Sequence, residues 1–169
     1  MHKNRELKDF SVPHLTNLNE DPQLSGKIYH NLKVKKNLLI GKGSESEEPD
    51  IILRGIGVRE RHAMIESRGE EYFLVALDEG ASDYLFLNGE RVSKEEKLHN
   101  WDRVAIGFNT IFVFRNPLEN TGPRGFESEK DIEWEKCHME VSRHILKVEV
   151  TPEENIKTQQ KYIEINNHV

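Results

Sequence analysis

Three short stretches of this chain carry residue types suited to holding an oxyanion. Gly41-Lys42 sets a cation directly after a glycine, Arg59, Glu60, Arg61 and His62 follow one another, and Ser82-Asp83 places a hydroxyl beside a carboxylate. A phosphorylated hydroxyl brings about −1.5 to −2 charges and three acceptor oxygens at neutral pH, so a loop that takes it needs cations, hydroxyls or backbone donors. Lysine answers that need as a point charge, arginine as a planar fork. Glu60 and Asp83 oppose it, because a carboxylate repels a dianion and donates nothing. Catalysis is not indicated: no nucleophile accompanies His62, and the eight histidines lack metal-ligand spacing, so no catalytic, metal or cofactor site is expected.

Loops of this kind need a stiff support. From Lys27 onward, short runs rich in Ile, Leu, Val, Tyr and Phe recur between turn residues without sustained helical spacing. The expected strands are 27–34, 37–42, 50–53, 63–67, 72–77, 84–87, 90–92, 97–98, 103–106 and 110–114, with a further short strand after Pro13. Many short strands so spaced point to a β-sandwich, here all-β with about eleven strands. Alternation puts Phe112 with Phe114, and Tyr72 with Leu74 and Ala76, on core faces. Val113 and Phe73 on the opposite faces imply partial burial on both sides. Asn88-Gly89 reads as a tight hairpin turn at positive φ.

Beyond Pro117 the pattern changes. Asn120-Thr121-Gly122-Pro123-Arg124-Gly125 reads as a linker, after which Trp134, Cys137, Val141, Ile145 and Val148 fall on one helical face. Thr151-Pro152-Glu153-Glu154 offers a cap, a first-turn proline and a capping-box acid for a second helix carrying Ile156 and Ile163. Such a stripe suits either a helix docked on the sandwich or the start of a coiled coil that pairs two copies. The expected division is a flexible segment 1–12, a domain 13–117, a linker 118–130 and a helical segment 131–169.

Bulk properties narrow the class. A net charge of −6 disfavours a dedicated nucleic-acid or anionic-membrane binder. The single cysteine, Cys137, cannot form an internal disulfide and fits a reducing compartment. No apolar run approaches the length of a membrane span and no secretory signal is visible, so membrane insertion is not expected and a cytoplasmic chain is. The acidic run Ser44-Glu45-Ser46-Glu47-Glu48 reads as a solvated loop whose serines could be phosphorylated.

Taken in order, Leu39-Ile40-Gly41-Lys42, Asp50-Ile51-Ile52-Leu53, Val58-Arg59-Glu60-Arg61-His62-Ala63, Leu87-Asn88-Gly89 and Trp101-Asp102-Arg103-Val104-Ala105-Ile106-Gly107 resemble a forkhead-associated (FHA) domain. That resemblance implies a recognition module, usually for phosphothreonine peptides, and not an enzyme. It makes Gly41, His62, Asn88 and Gly89 structural positions and Lys42, Arg59, Arg61, Ser82 and Asp83 the phosphopeptide-binding candidates. The family usually has Arg at Lys42, Ser at Arg59 and Asn at Asp83. Losing that serine removes a charge-assisted hydrogen bond of about 1.5–3 kcal/mol.

The phrase Pro13-His14-Leu15-Thr16-Asn17-Leu18-Asn19-Glu20-Asp21-Pro22, with Asp131-Ile132-Glu133-Trp134-Glu135-Lys136-Cys137 after the domain, is similar to the tail of kinesin-3 class microtubule motors. It implies a cytoskeletal setting, with ATP and the microtubule met only through a motor domain elsewhere. No phosphate loop is present at Gly41-Lys42, since Lys36 and Gly43 stand where a glycine and a hydroxyl are needed. The expected function is a protein-interaction and regulatory module that binds adaptors or its own coils, with homodimerisation through flanking helices. The alternative is a phosphothreonine reader of weakened affinity.

Overall fold

The computed structural model of the chain describes residues 7–78 and 80–147. Eleven strands run in order: β1 His14–Asn17, β2 Tyr29–Asn31, β3 Asn37–Gly41, β4 Ile51–Ile52, β5 Ala63–Arg68, β6 Glu71–Ala76, β7 Leu85–Leu87, β8 Glu90–Arg91, β9 Glu95–Lys97, β10 Arg103–Ile106 and β11 Thr110–Arg115. They form two sheets, β2-β1-β11-β10-β7-β8 and β4-β3-β5-β6-β9. Only the β3 and β4 pair is parallel; every other pairing is antiparallel. Helix α1, Trp134–Lys147, follows.

The period-two pattern explains the core. Phe112 and Phe114 lie on the inner face of β11 at 2% and 0% exposure, with Tyr72 and Leu74 of β6 and Ala76 packed against the same cluster. Apolar residues also face the other side. Phe86, Ala105 and Ile111 point outward from β7, β10 and β11 into a second cluster that Cys137 and Val141 of α1 complete, with Leu18, Phe126, Ile132 and Trp134 packed around it. Val113 is likewise buried, and Phe73 is half-buried beneath the guanidinium of Arg68. The sheet is therefore covered on both faces. Tyr84, expected to open a strand, instead closes a 3-10 turn, Ala81–Tyr84, whose place among the loops around His62 matters below.

Trp134, Cys137 and Val141 of the apolar stripe of α1 are used against the sheet. Burial pushes the Cys137 thiol up to about 12, so it stays a neutral packing group. Polar contacts fix the angle: Arg103, only 2% exposed, donates through Nε and Nη2 to Glu140 at 2.9 and 2.6 Å, and to the carbonyls of Arg124 and Trp101 at 2.7 and 3.2 Å. The ring of Phe126 lies 4.7 Å from that guanidinium. A buried bidentate pair of this kind fixes geometry because neither partner can be removed without stranding the other. Arg124 in turn pairs with Asp102, which is fully buried and also accepts from His99 N and Asn88 Nδ2. Val148 and the second helix expected from Thr151, with Ile156 and Ile163, lie outside the described residues.

Asn88-Gly89 is a two-residue turn between β7 and β8 with φ of 52° and 81°, as its sequence requires. Gly89 has a second role. A Cβ built there would lie 2.6 Å from Glu140 Cβ and 2.8 Å from Glu140 O, so only glycine lets α1 come this close.

Gly69 gives the control, since it has φ of 68° and nothing within 4 Å of a built Cβ. Gly69→Ala should cost about 1 kcal/mol of left-handed strain. Gly89→Ala should cost about 2–4 kcal/mol in chemical denaturation, from strain plus overpacking, and should speed labelling of Cys137 by a thiol reagent. Equal effects of the two substitutions would count against close helix docking at Gly89.

Candidate functional site

The end of the sandwich that carries the expected site residues is built around His62. Its ring is fully buried, Nδ1 accepts from the Arg59 amide at 3.0 Å, and Nε2 lies 3.0 Å from the Tyr84 carbonyl. Accepting at Nδ1 assigns the proton to Nε2, so the neutral ring bridges the 59–62 turn and the end of the 3-10 turn. Burial holds its pKa below the usual value; the Tyr84 carbonyl pulls the other way and the Arg59 charge adds to the lowering. A histidine so engaged braces loops and has no lone pair left for a metal or a substrate proton.

Gly41 lets the same turn approach. Lys42 N donates to Arg59 O at 3.0 Å and Gly43 N to Glu60 O at 3.1 Å, while a Cβ on Gly41 would lie 2.2 Å from Glu60 O. Arg59 then reaches sideways, its Nη2 coming within 3.0 Å of the Cβ position of Gly80 at the head of the 3-10 turn. Three segments thus converge: 41–43, 59–61 and 80–83.

The expected site residues divide on inspection of their partners. Lys42 and Arg59 are exposed and have no carboxylate partner among the described residues, and Ser82 Oγ makes no hydrogen bond there. Arg61 is engaged, its Nε 2.8 Å from Glu47 Oε1 across the β3–β4 loop. Asp83 is also engaged, by an ion pair with Arg91, a residue that gave no signal in the sequence because it lies one hairpin away. Asn88 and Gly89 stand apart from this end, since their hairpin turn serves the contact with α1.

The turn that leads into Val58-Arg59 carries an apolar feature that sequence patterning missed. Ile56 is 74% exposed on the turn Gly55-Ile56-Gly57, yet its carbonyl accepts from Phe108 N at 3.1 Å and the Phe108 ring packs against Gly57. Phe108 stacks obliquely on Tyr84 at 4.9 Å. The only hint in the sequence was a large aliphatic residue between two glycines. Among the described residues no cluster of His, Cys, Asp or Glu could hold a metal, and no helix is long and apolar enough to cross a membrane.

Comparison with known proteins agrees with this geometry. Residues 38–107 match the family model of the FHA domain. The chain is 31% identical over 138 residues to the kinesin-like protein KIF14 of Mus musculus, covering 73% of this chain and 8% of that protein. It is 32% identical over 117 residues to the kinesin-like protein KIF1B of Homo sapiens, covering 67% and 6%, and 30% identical over 134 residues to the kinesin-like protein unc-104 of Caenorhabditis elegans, covering 77% and 8%. The chain therefore spans under a tenth of the length of these relatives. Among solved structures, Mycobacterium tuberculosis EmbR in complex with a low-affinity phosphopeptide shares the fold at a TM-score of 0.52 and 22% identity, covering 66% of this chain and 26% of that one. Full-length yeast Pml1p does so at 0.53 and 17%, covering 62% and 81%.

The histidines give a pH test. His62, His14, His30 and His138 all have folded pKa values lowered by burial from the ordinary 6.5. Below about pH 6.5 the unfolded chain takes up protons that the folded chain refuses, so stability is full above that pH and falls as the solution is acidified toward the folded values. Urea titrations across this window should show the fall. His62→Phe should lose roughly 1–3 kcal/mol near neutrality, because the Arg59 amide loses its acceptor, and should show a shallower acid slope. An unchanged slope would remove His62 from the titration.

Proposed function

We propose, from the premise that residues 38–107 are an FHA domain of the kinesin-3 type, that this chain is a non-catalytic protein-interaction and regulatory module of a kinesin-like motor. Its loop end docks adaptors or the motor's own coils without strict need of a phosphate. The observation that carries this is the cancellation of charge at that end: Glu47 holds Arg61, and Arg91 holds Asp83. Lys42 and Arg59 are left beside Glu60, with Arg59 in place of the family's serine. Two cations without that hydroxyl are a weak seat for a dianion, whereas exposed Ile56 offers apolar contact that phosphate does not influence.

Within this proposal the domain comprises residues 13–117 and is followed by a linker, 118–130, and a helical segment, 131–169. Pairing of two copies falls to segments other than α1, whose apolar stripe faces the sheet. ATP hydrolysis and the microtubule track belong to a motor domain elsewhere in the whole protein, and the setting is cytoplasmic and cytoskeletal.

A second function has its own support. Among the described residues Lys42 and Arg59 have no carboxylate partner and Ser82 Oγ makes no hydrogen bond, and EmbR, which shares the fold, is held with a low-affinity phosphopeptide. That would make the chain a phosphothreonine reader of reduced affinity.

An array of threonine-centred peptides, each in phosphorylated and unmodified form, separates the two. Twins should bind within about threefold of each other, and Ile56→Lys should weaken both by about tenfold, or ~1.4 kcal/mol. Binding confined to phosphorylated peptides, steeply salt-dependent and lost on Lys42→Ala and Ser82→Ala, would establish the reader instead.

A further inference from the structure

The loop between β3 and β4 is laid against the basic turn and not held away from it. Gly43, at φ of 75°, turns the chain so that buried Pro49 closes over it, a Cβ there lying 2.6 Å from Pro49 Cδ. Ser44 N donates to Glu47 O at 2.9 Å, a single tight turn that carries Glu47 onto Arg61. At its apex Ser44 and Ser46 are exposed, their hydroxyls 3.1 Å apart and otherwise without protein partners among the described residues. Lys42 lies two residues from Ser44, with no carboxylate partner among the described residues. Two accessible hydroxyls thus lie on the loop that runs from Lys42 to Glu47, whose half-exposed pair with Arg61 is of a weak kind.

We propose that Ser44 and Ser46 are phosphorylation sites for an acid-directed protein kinase, and that a phosphoryl group there is held by Lys42 and Arg61, closing the loop end to other anions. Glu45, Glu47 and Glu48 supply the acids that the basic cleft of such a kinase reads around each serine. In the transfer, Ser Oγ forms a bond to the γ-phosphorus of ATP as the bond from that phosphorus to the β,γ-bridging oxygen breaks. ADP leaves, and the hydroxyl proton passes to the kinase base. The product carries about −1.5 to −2 charges where Glu47 carries one, so it displaces Glu47 from Arg61 and takes Lys42 as its second partner. The modification stands independently of the function proposed above; its effect on anionic partners rests on the loop end being the docking surface.

The folded full chain, treated with an acid-directed serine/threonine kinase and ATP, should gain phosphate at Ser44, Ser46 or both by mass mapping, and Ser44→Ala/Ser46→Ala should remove it. Phosphorus NMR titration should place the second ionisation of that phosphoserine below its usual value near pH 6, with Lys42→Gln/Arg61→Gln returning it upward. Affinity for a fixed phosphothreonine peptide should drop about fivefold or more on modification. No phosphate at either serine, or an ionisation indifferent to the double substitution, overturns the proposal. A peptide affinity unchanged by modification overturns the closure. If the unmodified chain binds neither that peptide nor its unmodified twin, the docking function fails while the phosphorus titration still decides capture.

Discussion

A neutral imidazole with no exposed surface holds the recognition end in shape. His62 sits between two loops that belong to different sheets, accepting from the Arg59 amide and donating to the Tyr84 carbonyl. The ring is the acceptor for the Arg59 amide and a second partner of the Tyr84 carbonyl, which also accepts from Gly107 N at 2.9 Å. Because the ring must stay neutral to serve both, its lowered pKa is a condition of the loop arrangement and not a sign of catalysis. Gly41 completes the brace from the other side by letting the Glu60 carbonyl come within a distance no Cβ permits.

The opposite end is fixed by charge. Asp102 and Arg103, adjacent in sequence, point to the two ends of one network: Asp102 gathers His99, Asn88 and Arg124, while Arg103 gathers Glu140 and the carbonyl of Arg124. Residues between the sandwich and α1 are thereby tied down at Arg124 and Phe126. The outer face of the six-stranded sheet receives the helix as a second core would, which is why β10 and β11 are apolar on both sides.

These two fixings leave the recognition loops little freedom and distribute their charges in pairs. A phosphate site requires cations that are both convergent and unsatisfied. Here three loop segments converge, but the cation Arg61 already has Glu47 as a partner, and the carboxylate Asp83 has Arg91. What remains outward is Lys42 and Arg59, with exposed Ile56 three residues before Arg59.

Much of this was legible in the sequence. Strand positions, the two-sheet class and the Asn88-Gly89 turn follow from period-two alternation and positive-φ chemistry, which are local properties. The apolar face of α1 was equally readable, because Trp134, Cys137 and Val141 recur at helical spacing. What that face meets was not: a docked helix and a coiled-coil strand share one stripe, and only the outward apolar side chains Phe86, Ala105 and Ile111 decide between them. The same holds for the site. Sequence supplied the residue types at Lys42, Arg59, Arg61, Ser82 and Asp83, but whether each charge is free or satisfied depends on Glu47 and Arg91, brought close by loops that the chain order separates. Pairing of charges across loops is a property of distance in space, and sequence by itself carries no such distances.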